Sequence, residues 1–324
     1  MLRAEVSRSG YARQDKVNLC YPGLPVRKGQ LMAVVPNETA RQRQQPRPVV
    51  SIIIPYYMQQ QYIREAVMSA VNQGGAQLDI IVIDDGSPVP AAPSLTGIEG
   101  IRLVRTANQG CPAARNFGFQ QSTGTYLIFL DGDDVLHPGA VQAQLNALAN
   151  EPQAALSFGA ARVIDESGRE LAPPYVCKPR KNYLRALFEF CPMRTPGMAM
   201  IRREAFLEAG GFNSDWPAQV DDYELYLRIA RRHSFVPHRF CVLSHRRHST
   251  NYSNDRKRML RGTLEVLDRL AASGTLSAAE RRWLSYGRTR WIHHYNPQPT
   301  LEYQFRTLYF KFRTMVSLPP SLWF

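Results

Sequence analysis

Short apolar runs alternate with longer segments of helical periodicity through the middle of the chain. Residues 49–54, 78–83 and 126–130 are runs of mostly β-branched or aliphatic residues. Each run predicts a strand that is buried on both faces. Apolar residues in 62–71 recur at helical spacing and predict a helix packed on the sheet. Repeated strand–helix units indicate an α/β fold with a doubly wound, mostly parallel sheet.

The pattern divides the chain into three parts. Residues 1–48 have no sustained period and end in a polar, proline-broken stretch, which is typical of an extension and linker. The α/β pattern covers residues 49–254, in which the proline-rich stretch 171–196 predicts an irregular loop. In residues 255–324, leucines at helical spacing and an aromatic-rich stretch predict a helical C-terminal region.

Acidic residues follow two of the predicted strands. Asp84 and Asp85 end the second strand, and Asp131, Asp133 and Asp134 follow the third. The carboxyl ends of parallel strands meet at one edge of a sheet, where ligands bind. Carboxylates this close repel one another and favour a hard divalent cation, Mg²⁺ or Mn²⁺, which in turn implies a phosphate ligand. A solvated acidic turn is the alternative.

A helix with proline in its first turn is predicted to begin at Pro112. Its backbone N–H groups and the guanidinium of Arg115 would suit a phosphate group. An ordinary surface arginine is an equally consistent interpretation of Arg115.

The net charge of +13 is concentrated at the two ends of the chain. Residues 1–48 contain nine Lys and Arg against three Asp and Glu, residues 255–324 contain twelve against five, and the middle is neutral. Basic flanks favour contact with a polyanion, with simple solubility as the alternative. No nucleic-acid-binding module is visible, so we expect no nucleic-acid partner and consider an anionic membrane surface instead.

One C-terminal segment is a candidate for that membrane contact. Residues 303–315 interleave aromatic residues with arginine and lysine, as in helices that lie in the membrane interface. A helix packed back on the α/β domain would show the same stripe.

The sequence predicts a cytoplasmic protein. No apolar run reaches the roughly 18 to 20 residues of a membrane span, and the first ten residues lack the apolar core of a signal peptide. The five cysteines are odd in number and include no C-x-x-C pair, so no disulfide frame is expected. Peripheral association with the inner face of the cytoplasmic membrane would follow from the basic flanks.

Six motifs resemble, in their order along the chain, those of the family-2 glycosyltransferases, which have the GT-A fold. The resemblance extends over residues 49–250 and implies a nucleotide-diphospho-sugar transferase fold. The motifs are Ser51-Ile-Ile-Ile-Pro-Tyr-Tyr, Ile83-Asp-Asp-Gly-Ser, Asn108-x-Gly with Ala114-Arg-Asn-x-Gly118, Leu130-Asp-Gly-Asp-Asp, Gly210-Gly-Phe and Asp221-Asp-Tyr-Glu-Leu-x-x-Arg228.

The resemblance also implies which residues bind the donor. Asp85 would accept a hydrogen bond from the nucleobase, with uracil N3–H as the expected donor of that bond, in a pocket shaped by Pro55 and Tyr57.

The resemblance implies a metal site at the second acidic turn. Asp131, Asp133 and Asp134 align with the D-x-D motif and would hold Mn²⁺ or Mg²⁺, with Asp133 also close to the donor sugar. His248, in an Arg-x-His segment, would supply a third metal ligand or touch the diphosphate. A structural or solvated histidine is the alternative.

Asp222 would be the general base on the acceptor hydroxyl. Asp221 replaces the glutamate that the family has beside the base, which shortens that side chain. Inverting transfer needs a base on one face of the anomeric carbon and an electrophile beside the leaving diphosphate. A lone carboxylate and an acid-bound metal fit these two tasks.

Together these features predict a metal-dependent inverting glycosyltransferase. It would move a sugar from a nucleotide-sugar donor, with UDP favoured, to a glycan or lipid-linked glycan of a cell-envelope or exopolysaccharide precursor. The alternatives are a sugar-nucleotide pyrophosphorylase, whose glycine-rich start is absent, a processive synthase, whose membrane spans are absent, and an inactive scaffold that retains the fold.

Overall fold

The structure, a computed structural model, describes residues 47–215 and 220–296. Within these ranges, nine strands form one sheet. The strands are β1 (Val49–Tyr56), β2 (Gln77–Asp85), β3 (Ile101–Thr106), β4 (Tyr126–Phe129), β5 (Val135–Leu136), β6 (Ala154–Ile164), β7 (Glu170–Tyr175), β8 (Ala199–Arg202) and β9 (Ser234–Arg246). The helices are α1 (Ile63–Val71), α2 (Ala92–Leu95), α3 (Cys111–Gln120), α4 (Ala140–Asn150), α5 (Tyr183–Glu189), α6 (Arg203–Glu208), α7 (Asp221–Ala230), α8 (Arg256–Ala272) and α9 (Ala278–Tyr295).

The sheet is parallel on one side and mixed on the other. Its order is β3-β2-β1-β4-β8-β6-β9-β5, with β7 paired to β6. The pairs β1–β2, β1–β4 and β2–β3 are parallel, as the strand–helix pattern predicts. Beyond β4 the sheet departs from the expected mostly parallel order, because β8 runs antiparallel to both β4 and β6 and β7 returns on β6 through a tight turn.

Two strands differ from the expectation. Most of β7 and all of α5 lie within residues 171–196, where the sequence predicts an irregular loop. β7 contains Pro173 and Pro174, which an edge strand tolerates because one side of its backbone pairs with no neighbour. β9 was not predicted; its apolar run at 240–243 is short and follows Pro237, and the strand pairs along β6.

Helix α3 lies unusually close to the sheet. At Gly118, an added Cβ would lie 2.4 Å from Ile53 Cγ2 on β1. Residues 114, 115 and 118 lie on the buried face of α3, as their spacing of three and four positions requires. This face directs Arg115 into the molecule rather than towards solvent.

The C-terminal helices α8 and α9 pack on the α/β domain. Leu284, Gly287 and Trp291 form the buried face of α9, and an added Cβ at Gly287 would lie 2.0 Å from the Phe188 carbonyl oxygen of α5. The predicted helical character of the C-terminal region is thus seen in residues 256–295. Residues 1–46 and 303–315 lie outside the described residues, so the membrane contact and the packed alternative for 303–315 both stay predictions. No helix in the described ranges has the length and apolar character that crossing a membrane requires.

We expect Gly287→Ala to destabilise the protein by about 1 to 3 kcal/mol, because the new methyl group would be forced against the α5 backbone. Ser285→Ala is the matched control, since Ser285 is exposed on the same helix and gains similar helix propensity. Urea unfolding measures both. Equal stability of the two variants would contradict the close packing of α9 on α5.

Candidate functional site

The site lies where β1, β2 and β4 end at one edge of the sheet. The acidic turn 131–134 follows β4 and approaches the end of β1 closely. An added Cβ at Gly132 would lie 3.1 Å from the Pro55 carbonyl oxygen and 2.6 Å from Gln59 Oε1. A larger residue at position 132 would require Gln59 to move and the Pro55 carbonyl to shift slightly. This close approach brings the predicted donor residue Pro55 next to the predicted metal turn.

The carboxylate of Asp85 is buried and fixes the loop before α3. Its side chain is 4% exposed, and its two oxygens accept hydrogen bonds from the backbone N–H groups of Gln109 and Gly110, each at 2.9 Å. Any nucleobase contact must therefore use the remaining lone pairs of these oxygens. The role of Asp85 towards a nucleobase stays a prediction.

Tyr57 stands at the same end of the sheet and is 44% exposed. Its neighbour Met58 donates its backbone N–H to Ser87 Oγ at 3.0 Å, which ties the loop after β1 to the loop after β2. Tyr57 and Pro55 thus border the region around Asp85, as the motif order predicts, while their contact with a ligand stays a prediction.

Arg115 joins two carboxylates that are far apart in sequence. Its Nη1 lies 2.5 Å from Asp221 Oδ2 and its Nη2 lies 2.6 Å from Asp131 Oδ1. Arg115 and Asp221 are 4% and 1% exposed. This placement differs from the predicted phosphate contact, because the inward face of α3 directs the guanidinium to protein carboxylates. Arg115 therefore connects the acidic turn to the start of α7.

Asp134 lies in a buried hydrogen-bond network. It is 1% exposed, and its carboxylate is contacted by the Thr195 hydroxyl at 2.8 Å, the Arg246 backbone N–H at 3.0 Å and His245 Nδ1 at 3.1 Å. Burial of His245 opposes its protonation, but the adjacent Asp134 carboxylate raises the pKa of His245 overall. This environment is that of a structural carboxylate rather than the open metal ligand that the sequence predicts.

Asp133 and His248 face each other across the acidic turn. His248 Nε2 lies 2.8 Å from Asp133 Oδ2, and their side chains are 6% and 13% exposed. The His248 ring stacks on Tyr62, with ring centroids 5.0 Å apart. Thr250 Oγ1 lies 2.8 Å from His248 Nδ1, which orients the imidazole.

The residues that fit a divalent cation are fewer than predicted. In the described part of the chain, no group of three or more His, Cys, Asp or Glu side chains is arranged to hold a metal ion. Asp133 and His248 are adjacent and offer a carboxylate oxygen and an imidazole nitrogen, which suit Mn²⁺ and are acceptable to Mg²⁺. Asp131 is paired with Arg115 and Asp134 is enclosed, so the side chains fit a two-residue protein site.

Asp222 is half-buried in the first turn of α7. Its Oδ1 accepts a hydrogen bond from the Tyr223 backbone N–H at 2.7 Å. Burial, followed by the negative charge of Asp221, raises the pKa of Asp222 to about 7. A carboxylate with this pKa can accept a proton near neutral pH.

Sequence reasoning missed Arg246. This side chain is 2% exposed, and it donates from Nε to the Asp133 carbonyl oxygen at 3.0 Å and from Nη2 to Glu65 Oε2 at 2.5 Å. It also stacks on Tyr62, with its Cζ 5.0 Å from the ring centroid. Arg246 thus fixes the backbone of the acidic turn to α1.

Sequence reasoning also missed Thr195. Its hydroxyl lies 3.0 Å from Asp131 Oδ2 and 2.8 Å from Asp134 Oδ2. Arg246 is the arginine of the Arg-x-His segment, which gave it no stated role, and nothing in the local pattern indicated Thr195 inside a proline-rich stretch.

Comparison with solved structures shows that the chain has the GT-A glycosyltransferase fold. S. aureus TarS 1–349 in complex with UDP-GlcNAc aligns with a TM-score of 0.60 at 14% identity, covering 79% of this chain and 77% of that one. The mannosyltransferase PcManGT from Pyrobaculum calidifontis, in complex with GDP-Man and Mn²⁺, aligns with a TM-score of 0.55 at 16% identity, covering 87% of each chain. The fold predicted from the motifs is confirmed.

The sequence profile of Glycosyl transferase family 2 matches residues 51–210 of this chain. An uncharacterized glycosyltransferase of Rickettsia felis is 32% identical over 197 residues, which are 57% of this chain and 32% of that protein. The putative glycosyltransferase EpsH of Bacillus subtilis is 28% identical over 198 residues, 58% of this chain and 57% of its own. The chain spans about a third of the length of the first relatives it matches.

We expect Arg115→Met to destabilise the protein by about 3 to 5 kcal/mol, because it leaves Asp131 and Asp221 without their common partner. Arg162→Gln is the control. Its pair with Glu170 has both side chains 42% exposed, so its removal is expected to cost at most about 1 kcal/mol. Urea unfolding near pH 7 measures both variants, and similar losses would show that the Arg115 bridge does not hold the site together.

Proposed function

We propose that the chain is a metal-dependent inverting glycosyltransferase. It moves a sugar from a nucleotide-sugar donor, with UDP favoured, to a hydroxyl of a cell-envelope or exopolysaccharide precursor. Residues 49–254 form the catalytic domain of this proposal. The observation that supports this proposal most strongly is Asp222, a half-buried carboxylate with a raised pKa. Asp222 adjoins Asp221, and Arg115 links Asp221 to the acidic turn.

Asp222 acts as the general base in this mechanism. Its carboxylate takes the proton of the acceptor hydroxyl as the oxygen forms a bond to the anomeric carbon of the donor sugar. The bond from that carbon to the diphosphate oxygen breaks on the opposite face, and the nucleoside diphosphate leaves. A single displacement of this kind inverts the anomeric configuration.

The remaining residues bind and orient the donor. Asp85, with Pro55 and Tyr57, borders the nucleobase in this proposal. Asp133 and His248 are the residues that would hold Mn²⁺ or Mg²⁺, and the bound ion would offset the negative charge of the leaving diphosphate. The solved neighbours named with UDP-GlcNAc and with GDP-Man and Mn²⁺ support a nucleotide-sugar donor and a divalent ion.

Asp131 and Asp134 are positioning residues in this proposal. Asp131 holds Arg115, while Asp134 anchors Thr195 and His245 beneath the turn. Asp133 is thereby left to face the donor. The proposed place of reaction is the cytoplasm, with peripheral contact to the inner membrane face through the basic flanks.

We expect release of nucleoside diphosphate from one member of a panel of nucleotide sugars, in the presence of Mn²⁺ and of acceptor glycans. Asp222→Asn should lower this rate by about a hundredfold or more, because the amide cannot accept the proton. Glu99→Gln, at an exposed site, is the control. An Asp222→Asn variant as active as the control would refute the assigned base, and no turnover of any donor by the folded, donor-binding protein would favour the inactive scaffold.

The turnover rate should rise with pH and reach half its maximum near pH 7, because Asp222 must be ionised to accept a proton and burial raises its pKa to about 7. The residual rate of Asp222→Asn should lack this rise. A profile that is already flat above pH 5 would contradict the assignment, because it would place the pKa of the base at its ordinary value.

We expect Asp133→Asn and His248→Ala to weaken Mn²⁺ binding by about tenfold or more, since each removes one of the two proposed ligands. Asp134→Asn is the comparison variant, and its unfolding free energy is expected to fall because its carboxylate is enclosed. Calorimetric titration with Mn²⁺ in the presence of UDP measures the affinities. Unchanged Mn²⁺ affinity in both ligand variants would rule out this site.

A further inference from the structure

A third polar side chain, that of Asn251, lies beside Asp133 and His248. Its Nδ2 lies 3.5 Å from Asp133 Oδ2 and 3.2 Å from His248 Nε2. These are the two atoms that face each other at 2.8 Å in the proposed metal site. Asn251 is half-buried. It follows the Arg-x-His segment and belongs to none of the six motifs, so the resemblance implies no role for it.

Two backbone groups fix the orientation of the Asn251 amide. Its Oδ1 accepts a hydrogen bond from the His248 backbone N–H at 2.5 Å, and its Nδ2 donates to the Arg246 carbonyl oxygen at 3.2 Å. A backbone N–H only donates and a carbonyl oxygen only accepts, so the opposite orientation would lose both hydrogen bonds. The NH₂ group of Asn251 is therefore the end that lies next to Asp133 and the His248 ring.

This orientation decides what Asn251 offers to the pair. Its Nδ2 carries two hydrogens, and the Arg246 carbonyl oxygen accepts one of them. The second is available to the carboxylate of Asp133, whose Oδ2 lies at the outer limit of hydrogen-bonding distance. The amide oxygen is directed to the His248 backbone instead. Asn251 is thus suited to orient a metal ligand and not to be one.

The same side chain fixes the backbone that carries His248. The carbonyl group of Arg246 and the N–H group of His248 both bind the Asn251 amide. The Asn251 backbone N–H also donates to the His248 carbonyl oxygen at 3.2 Å. Because Arg246 donates from Nε to the Asp133 carbonyl oxygen, Asn251 is connected to both members of the pair.

A turn-forming role explains part of this arrangement. Asparagine side chains commonly bind nearby backbone groups in turns, which accounts for the contacts of Asn251 with Arg246 and His248. It does not account for the approach of Nδ2 to Asp133, which is 118 positions away in the sequence.

We propose that Asn251 is a positioning residue of the divalent-cation site. Its Oδ1 holds the His248 backbone and its Nδ2 holds the Asp133 carboxylate, so that a carboxylate oxygen and an imidazole nitrogen are presented to one Mn²⁺ or Mg²⁺ ion. This inference rests on the proposed function, because it concerns the metal ligands assigned there. Hydrogen-bonded partners of this kind orient a metal ligand, and their loss typically weakens metal binding by about ten- to a hundredfold.

The test is calorimetric titration of the full chain with MnCl₂ in the presence of UDP. The test variant is Asn251→Ala, which removes the contacts with both proposed ligands. The matched control is Asn254→Ala. Asn254 is exposed in the same loop, and its Nδ2 donates to the carbonyl oxygens of His248 and Ser249 at 2.8 and 3.2 Å. The control therefore removes backbone contacts of the same loop.

We expect Asn251→Ala to weaken Mn²⁺ binding by about tenfold or more, and Asn254→Ala to stay within about twofold of the original chain. The affinity for UDP without metal should be the same in both. Asn251→Ser is the second variant, because its hydroxyl keeps a hydrogen-bonding group in the loop but is too short to reach Asp133. Its Mn²⁺ affinity should fall as far as that of Asn251→Ala, while urea unfolding should show a smaller loss of stability.

Two results would overturn the inference. Equal weakening of Mn²⁺ binding by Asn251→Ala and Asn254→Ala would leave Asn251 with a role in the loop alone. Recovery of the Mn²⁺ affinity in Asn251→Ser would show that the contact with Asp133 is not needed.

The ligand variants Asp133→Asn and His248→Ala separate this failure from that of the proposed function. If both lose Mn²⁺ affinity while Asn251→Ala keeps it, only the role of Asn251 is refuted. If the original chain binds UDP but no Mn²⁺, the proposed metal dependence is refuted as well.

Discussion

The arrangement of the site depends on the buried guanidinium of Arg115. It bridges Asp131 on the turn after β4 and Asp221 at the start of α7, at 2.6 and 2.5 Å. The close approach of α3 to the sheet at Gly118 places this guanidinium inside the protein, next to the equally buried Asp221. Removing one partner of such a buried pair costs far more than the pair itself contributes. The acidic turn and the proposed base helix are therefore fixed relative to each other.

A second buried arginine acts from the other side of the turn. Arg246 donates to the Asp133 carbonyl oxygen and to Glu65 on α1, and its backbone N–H donates to Asp134. The two arginines hold the acidic turn between α1 and α7.

The partners of the acidic side chains separate them into two groups. Asp131, Asp134 and Asp221 have partners in the protein that neutralise or enclose them. Asp133 faces His248, and Asp222 accepts from its own helix. The second group is where we propose the chemistry, because these carboxylates are the ones that can gain a new partner.

The sequence predicts the parallel strands and the acidic edge because both depend on local pattern. β1, β2 and β4 each contain a short apolar run, and the carboxyl ends of parallel strands meet by geometry alone. The partners of Arg115 could not be predicted, since Asp221 is 106 positions away and only the packing of α3 shows which face is inward. β9 likewise depends on residues distant in sequence, because its polar residues become partly buried when it pairs with β6.

The most direct test of the account is to locate Mn²⁺ by anomalous diffraction in crystals of the protein with UDP and Mn²⁺. We predict one strong peak bound by the Asp133 carboxylate and His248 Nε2, with Arg115 still between Asp131 and Asp221. A peak bound by Asp134, or one that contacts neither Asp133 nor His248, would contradict the division of the acidic residues on which the account depends.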